Sequence, residues 1–599
     1  MNSQPTIFPS FNARNLTAKQ VASTFVPPEQ FSQLCGQCHS MVVGPRGSGK
    51  TTLLKMLQPQ ALDAWNEPVA DKWRKLVAFY GVYVPADISW GMQLATIDPV
   101  RLGVAASELF GIAAFTTHTL RALIQTMDYV NKDVTRVGQR VTQSQEAEIA
   151  RSLCKAWSLG SDVRSFVSLR LALGARLLEI KSTASEEATR GSDGRNQRLA
   201  DLRMLHIPFD EACSMALDHF IATTNEADTR WALMFDELEL APRPVMKTLL
   251  SSVRSIDQRF LFKLSLVPFG SDSEELKNEI KAGRVHDDYN TIRLWYPHKE
   301  DGYPFCRDLW TSVLREQRRD IVEPEAVFGR SIFDLGREEW KEEGTSYRPD
   351  TKMGQAFASL ALKDPSFAEY VASKEIDVEH LAEISAIDRP RTVRKIGAIV
   401  ILRDELLSAS NVGEKRSRKV PAIYAGADAL FAMVEGNPRW FKGLVGQLLS
   451  AENTKLKISN QLQQQYIQQA SDRFRSLLQT IPREGSKYGV MNLLDRLGEF
   501  LHVRQIEDDF DPDPIGSFKL ESNVRPEFVQ LLGQAMNQGA IVRMDDQASS
   551  ISEGGLLGER FRLSYLLAPH YRILLRAGRT VAMSTALERN QQGALFEDE

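Results

Sequence analysis

Gly44-Pro45-Arg46-Gly47-Ser48-Gly49-Lys50-Thr51-Thr52 fits the pattern G-x-x-x-x-G-K-[ST] at every position. The residues on either side suit it. His39-Ser-Met-Val-Val43 reads as a short buried strand, and Thr51 to Leu57 sets apolar residues at helical spacing. Those flanks separate the stretch from a chance glycine-rich turn. Gly44, Gly47 and Gly49 let the backbone curl so that its N–H groups point inward at a phosphate, with a helix N-terminus adding its dipole. Lys50 is then expected on the β- and γ-phosphates and Thr51 on Mg²⁺, while Ser48 and Thr52 complete the loop.

A nucleotide site that hydrolyses also needs a carboxylate for the metal and a base for water, best placed where a neighbouring buried strand ends. Trp231-Ala-Leu-Met-Phe-Asp236-Glu237 supplies both. Asp236 would hold the Mg²⁺ water shell, and Glu237 would polarise the lytic water. An apolar run ending in Asp-Glu is common by itself, and the phosphate loop upstream gives this one its meaning. Arg259 to Val267 reads as another strand, late on which a polar residue can sit beside the γ-phosphate. Ser265 is the candidate there and Lys263 the runner-up.

Outward from the loop, Lys75 to Val84 reads as a second strand and Thr291 to Tyr296 as a fifth. Between about 90 and 228 the periodicity is helical, clearest over Val104 to Tyr129, Ser144 to Ser158, Ser165 to Ser182 and Asp210 to Thr223. Pro244 to Ile256 and Glu274 to Ala282 read as further helices. Strands alternating with helices around a phosphate loop argue a parallel α/β sheet carrying a large helical insertion. From 304 to 450 nearly every segment is helical, including Arg391 to Ser408 and Ala422 to Val434. There Gly436-Asn437-Pro438-Arg439 breaks the pattern and starts a new helix, with Asn437 as cap and Arg439 at the helix head. Glu414 to Lys419 reads as a solvated loop. A glutamine-rich amphipathic helix, Ile458 to Leu478, shows Ile458, Leu462, Tyr466, Ala470 and Phe474 on one face. Beyond it, helices Tyr488 to His502 and Pro526 to Asn537 and strands near 516–521, 540–544 and 560–565 describe a winged helix ending in a polar tail. The boundaries expected are 1–300 for the nucleotide-binding core, 301–452 for a helical lid and 453–599 for the winged helix and tail.

Composition narrows the field. Over 599 residues, 43% hydrophobic and 25% charged describe an ordinary globular chain, and a formal net charge of −4 lacks the basic excess of a protein built around nucleic acid. Five cysteines make a disulfide framework improbable, and Cys35-Gly-Gln-Cys38 has no second pair to complete a zinc site. The opening MNSQPTIFPSFNARN lacks the basic and apolar regions of a secretory signal, and no apolar run approaches a membrane span, so a cytoplasmic protein without membrane contact is expected.

The phosphate loop, the Asp-Glu strand, the late-strand polar residue, the helical lid with Gly-Asn-Pro-Arg and the winged helix, in that order, resemble the AAA+ P-loop ATPases, nearest the origin-recognition and initiator clade. Asn12-Ala-Arg-Asn-Leu16, Thr24-Phe-Val-Pro-Pro28 and Arg562 to Pro569 look like segments of bacterial ATPases of that type found beside antiviral effector genes. The resemblance implies ATP and Mg²⁺ as ligands and a homo-oligomer. It also implies Arg439 as the lid arginine called sensor 2, Phe25 and Val26 in the segment that touches adenine, and Arg284 as an arginine acting in trans. The expected activity is an ATPase switch controlling a protein effector, with antiviral defence as its setting. The competing reading is a DNA-binding initiator or remodeller using the winged helix, and a third is a scaffold that binds nucleotide without hydrolysing it. Intact Lys50, Thr51, Asp236 and Glu237 weigh against the third.

Overall fold

The computed structural model describes residues 13–86, 102–132, 141–160, 162–224, 229–255, 257–270, 289–331, 347–384, 393–410, 420–451, 457–483, 487–544 and 556–588. The chain divides into two compact units. One holds Asn12–Gly44 and Lys50–Leu294, and the other takes Pro45–Gly49 with the chain from Trp295 onward.

The first unit is built on five strands: β1 (Ser40–Val43), β2 (Phe79–Pro85), β3 (Arg230–Asp236), β4 (Phe260–Leu266) and β5 (Asn290–Arg293). They lie in the order β2-β3-β4-β1-β5, every pairing parallel. Buried runs such as Trp231 to Asp236 are what a parallel strand covered on both faces requires. Side chains alternate between those faces. Leu233 and Phe235 point into a core shared with Phe115, Leu120, Trp157 and Phe166 of the helical insertion. Ala232 and Met234 point the other way, toward Leu53, Leu54 and Trp65.

The insertion between β2 and β3 comprises helices Val104–Val130, Gln143–Ala156, Phe166–Arg190, Arg195–Asp201 and Phe209–Thr224. Thr142 and Ser165 cap the second and third of these. The second strand starts later than its composition suggested. Lys75 and Leu76 close a helix, Ala70–Leu76, and the ladder begins only where Phe79 pairs with Arg230. The helix expected over Glu274 to Ala282, and Arg284 after it, lie outside the described residues.

The second unit is mainly helical, with Tyr303–Glu316, Lys352–Lys363, Pro365–Ser373, Gly397–Ser410, Asn460–Gln479, Val490–His502 and Pro526–Gln538 as its longest helices. The expected helix Arg391 to Ser408 begins only at Gly397, with 391–392 outside the described residues. Ala422 to Val434 is not one helix. Gly426, at φ +105, interrupts it, and a Cβ there would meet the Ser331 backbone nitrogen at 2.6 Å.

The glutamine-rich helix buries Gln463, Ile467, Ala470, Phe474 and Leu478. Its stripe is therefore rotated from the expected one, leaving Leu462 and Tyr466 half-buried. Gln463 can be fully buried because its amide accepts from the Gly426 N–H at 2.9 Å and donates to the carbonyls of Phe328 and Ile458.

At the C-terminal end, β6 (Ile515–Lys519), β7 (Ile541–Arg543), β8 (Arg560–Leu563) and β9 (Arg579–Ala582) form one sheet in the order β7-β8-β6-β9. The antiparallel pair β7 and β8 matches the expected two strands, while β9, parallel to β6, had no signal in the sequence. The loop Glu414 to Lys419 and the tail from Gln591 lie outside the described residues.

Candidate functional site

In the sheet unit, β1 ends at Val43, and the Gly44 N–H continues its ladder to the Leu266 carbonyl at 3.2 Å. Helix Lys50–Met56 follows the loop, so Lys50 and Thr51 stand at its head. Lys50 is buried, and its ammonium donates to the Gly44 carbonyl at 2.5 Å, bridging the two ends of the loop. An ammonium held there is positioned for a phosphate that replaces the carbonyl.

Asp236 closes β3 at 1% exposure. Its carboxylate accepts from the Tyr83 hydroxyl at 2.9 Å and from the Glu237 N–H at 3.0 Å. Burial and the neighbouring Asp236 carboxylate push the Tyr83 phenol up, so it stays a donor. Glu237 follows at φ +56, a left-handed backbone that L residues rarely adopt, which turns its side chain away from the strand direction. There its carboxylate meets the Arg14 guanidinium at 3.0 Å.

Ser265 lies one residue before the end of β4, opposite Val42 of β1. It is fully buried, and its hydroxyl has no hydrogen-bond partner among the described residues. A buried polar atom with nothing to bond, on the strand between the two chemical ones, fits a site whose ligand supplies the missing partner. The runner-up behaves differently. Lys263 pairs with Ser40 at the far end of β1, and its ammonium donates to the carbonyls of Gly36 and Cys38 and to the Ser40 hydroxyl. Burial pulls it down to about 8. It ties down the Cys35 to Cys38 turn and does not reach the loop end of the strand.

Phe25 is 6% exposed and packs edge-on against Phe31 and Trp65, at ring-centroid distances of 5.0 and 5.2 Å. Its ring is thus part of the core, and Val26 and Pro27 beside it are half-buried. Among the described residues no group of three His, Cys, Asp or Glu side chains is placed to hold a metal. The oxygen donors offered by Thr51 and Asp236 are the hard, sparse set that suits Mg²⁺, which takes one or two protein ligands and completes its shell with water and phosphate.

In the helical unit, the loop tip Pro45–Gly49 is gripped by its neighbours. The Arg46 N–H donates to the Asn537 carbonyl at 2.8 Å, and its carbonyl accepts from the Asn437 amide at 3.0 Å. The Asn437 oxygen meanwhile caps the next helix through the N–H groups of Arg439 and Trp440. Gly47 and Gly49 take φ of +84 and +97. A Cβ on Gly47 would strike the Asn437 oxygen at 2.8 Å and the Arg439 Cβ at 2.9 Å. The Ser48 hydroxyl is buried and has no hydrogen-bond partner among the described residues, as a loop built to receive an anion would leave it. Periodicity had no means of pointing to Arg14, Tyr83, Lys55 or Asn537 as neighbours of these motifs. The only trace was Arg14, inside the Asn12 to Leu16 segment.

A family model described as ORC-CDC6-like matches residues 6–583 of the chain. No curated protein and no solved structure matches it.

Proposed function

The chain belongs to the ORC-CDC6-like family of AAA+ ATPases, and on that premise we propose that it is a Mg²⁺-dependent ATP hydrolase working as an oligomeric switch that controls a protein effector. One observation carries the reading. Lys50 heads the helix after β1 and Asp236 closes β3 with Glu237 next in the chain, while β4 between the two strands carries the Ser265 hydroxyl, which has no hydrogen-bond partner among the described residues. Lys50 would neutralise phosphate charge, Asp236 and Thr51 would hold Mg²⁺, and Glu237 would orient and polarise the attacking water. The bound ion would supply charge neutralisation to the phosphate oxygens. Arg439 is proposed as the lid arginine and Arg284 as the trans arginine.

The arrangement of charge weighs against DNA as the partner. Of the five arginines between 558 and 580, Arg562 is 1% exposed, and Arg576 and Arg579 pair with Asp513 and Asp511. The apolar residues interleaved with them, Leu563, Leu566, Leu567 and Leu575 among them, belong to the unit's own core. We propose that the region around β6 to β8 is a winged helix. Antiviral defence as the setting rests on the short-motif resemblance. No helix among the described residues is long and apolar enough to cross a membrane, and a cytoplasmic location is proposed.

The test is ATP turnover with and without Mg²⁺. Wild type should hydrolyse slowly, Lys50→Ala should lose ATP binding, and Glu237→Gln should bind ATP yet barely turn over. Equal rates in wild type and Glu237→Gln would refute the base assignment.

A further inference from the structure

We infer that Arg14 is a restraint in cis on Glu237, holding its carboxylate in an ion pair until the short turn that carries Arg14 moves. The inference rests on the reading of Glu237 as the group that polarises water. Arg14 lies 223 residues earlier in the chain, in the 3₁₀ turn Ala13–Asn15, and its Nη1 donates to Glu237 Oε2 at 3.0 Å. Both side chains are about a quarter exposed, so the pair is neither sealed in the core nor lost to solvent.

The turn is anchored. Lys55 sends its ammonium to the carbonyls of Ala13, Arg14 and Leu16 at 2.8, 2.8 and 2.9 Å, using all three of its donors. Burial lowers the proton affinity of Lys55, while the Asp236 carboxylate acts to raise it. Lys55 belongs to the helix that begins with Lys50 and Thr51, so the turn bearing Arg14 is tied to the element expected to receive the phosphate. On the opposite side, Glu237 is held at φ +56 with its N–H on Asp236 Oδ1. Among the described residues, the charged and titratable groups gathered here include Arg14, Lys55, Tyr83, Asp236 and Glu237.

A base must offer a carboxylate lone pair to the water it polarises. A guanidinium bonded to Glu237 Oε2 occupies that oxygen and competes with the water. Releasing it should therefore speed turnover, whereas a purely structural arginine would slow turnover on removal.

The experiment uses the full chain. Arg14→Gln should raise kcat about two- to fivefold, the rate equivalent of one partly exposed ion pair, with KM changed less than twofold. Arg14→Lys, which keeps the charge, should restore most of the restraint, and Arg14→Gln should give no increase on a Glu237→Gln background. Without nucleotide, Arg14→Gln should lower the thermal midpoint more in wild type than in Glu237→Gln, where the bond from Arg14 to the Ala86 carbonyl is still lost. A kcat equal to or below wild type, or the same thermal loss in both backgrounds, overturns the inference. Wild-type turnover by Glu237→Gln alone would instead remove the base reading beneath it.

Discussion

Replacing Gly47 with alanine tests whether the grip on the loop tip decides nucleotide binding. At φ +84 an L residue sits about 1–2 kcal/mol above its preferred conformations, before any contact is counted. The new Cβ would then lie 2.8 Å from the Asn437 oxygen and 2.9 Å from the Arg439 Cβ, both closer than real Cβ atoms come. Asn437 cannot simply swing aside. Its oxygen caps the helix through Arg439 and Trp440, and its amide holds the Arg46 carbonyl. Losing such a cap costs about 1 kcal/mol and the second bond about another. Even if only 2 kcal/mol of this reached the binding step, ATP affinity would fall about thirtyfold. Titration of a fluorescent ATP analogue against wild type, Gly47→Ala, Asn437→Ala and the double variant reads the effect. If the clash with Asn437 matters, the double variant should bind better than the sum of the single losses predicts. Gly47→Ala binding within twofold of wild type, with an unchanged thermal midpoint, would refute the reasoning.

Two further outcomes follow from buried chemistry. Arg562, fully enclosed, pairs with Glu435, which also accepts from the Ser564 hydroxyl at 2.8 Å. Arg562→Met should leave that carboxylate buried without its cation and cost about 3–5 kcal/mol, while adding Glu435→Gln should recover part of it. Chemical denaturation of both variants checks this, and an Arg562→Met midpoint equal to wild type would contradict it. Among the thiols only Cys38 is exposed. Burial pushes Cys35 and Cys306 up to about 12 and raises Cys213 as well. A neutral alkylating reagent at pH 8 should therefore label Cys38 alone in the folded protein, as mass spectrometry would show, and labelling of Cys306 at a similar rate would count against the fold there.

What could be read directly from the chain is whatever depends on neighbours in sequence. The phosphate loop, the helix behind it and the run ending in Asp236 and Glu237 are legible because glycine conformations, helix heads and apolar runs are local properties. The long helices of the insertion are legible for the same reason, since a 3.6-residue period survives without knowledge of the partner surface. Tertiary structure decided what those local features meet. Periodicity marks Phe25 as apolar but cannot say that Phe31 and Trp65 enclose it. Lys263 and Ser265 lie on one strand, two residues apart, and only the register against β1 sends one to the Gly36 to Cys38 turn and leaves the other's hydroxyl without a hydrogen-bond partner among the described residues. Gln463 looks like one glutamine among many until the backbone groups of Phe328, Gly426 and Ile458 converge on it. Arg14 and Glu237 meet across 223 residues, a separation over which spacing carries no information, because pairing of that kind is set by how the packed elements bring the ends of distant segments together.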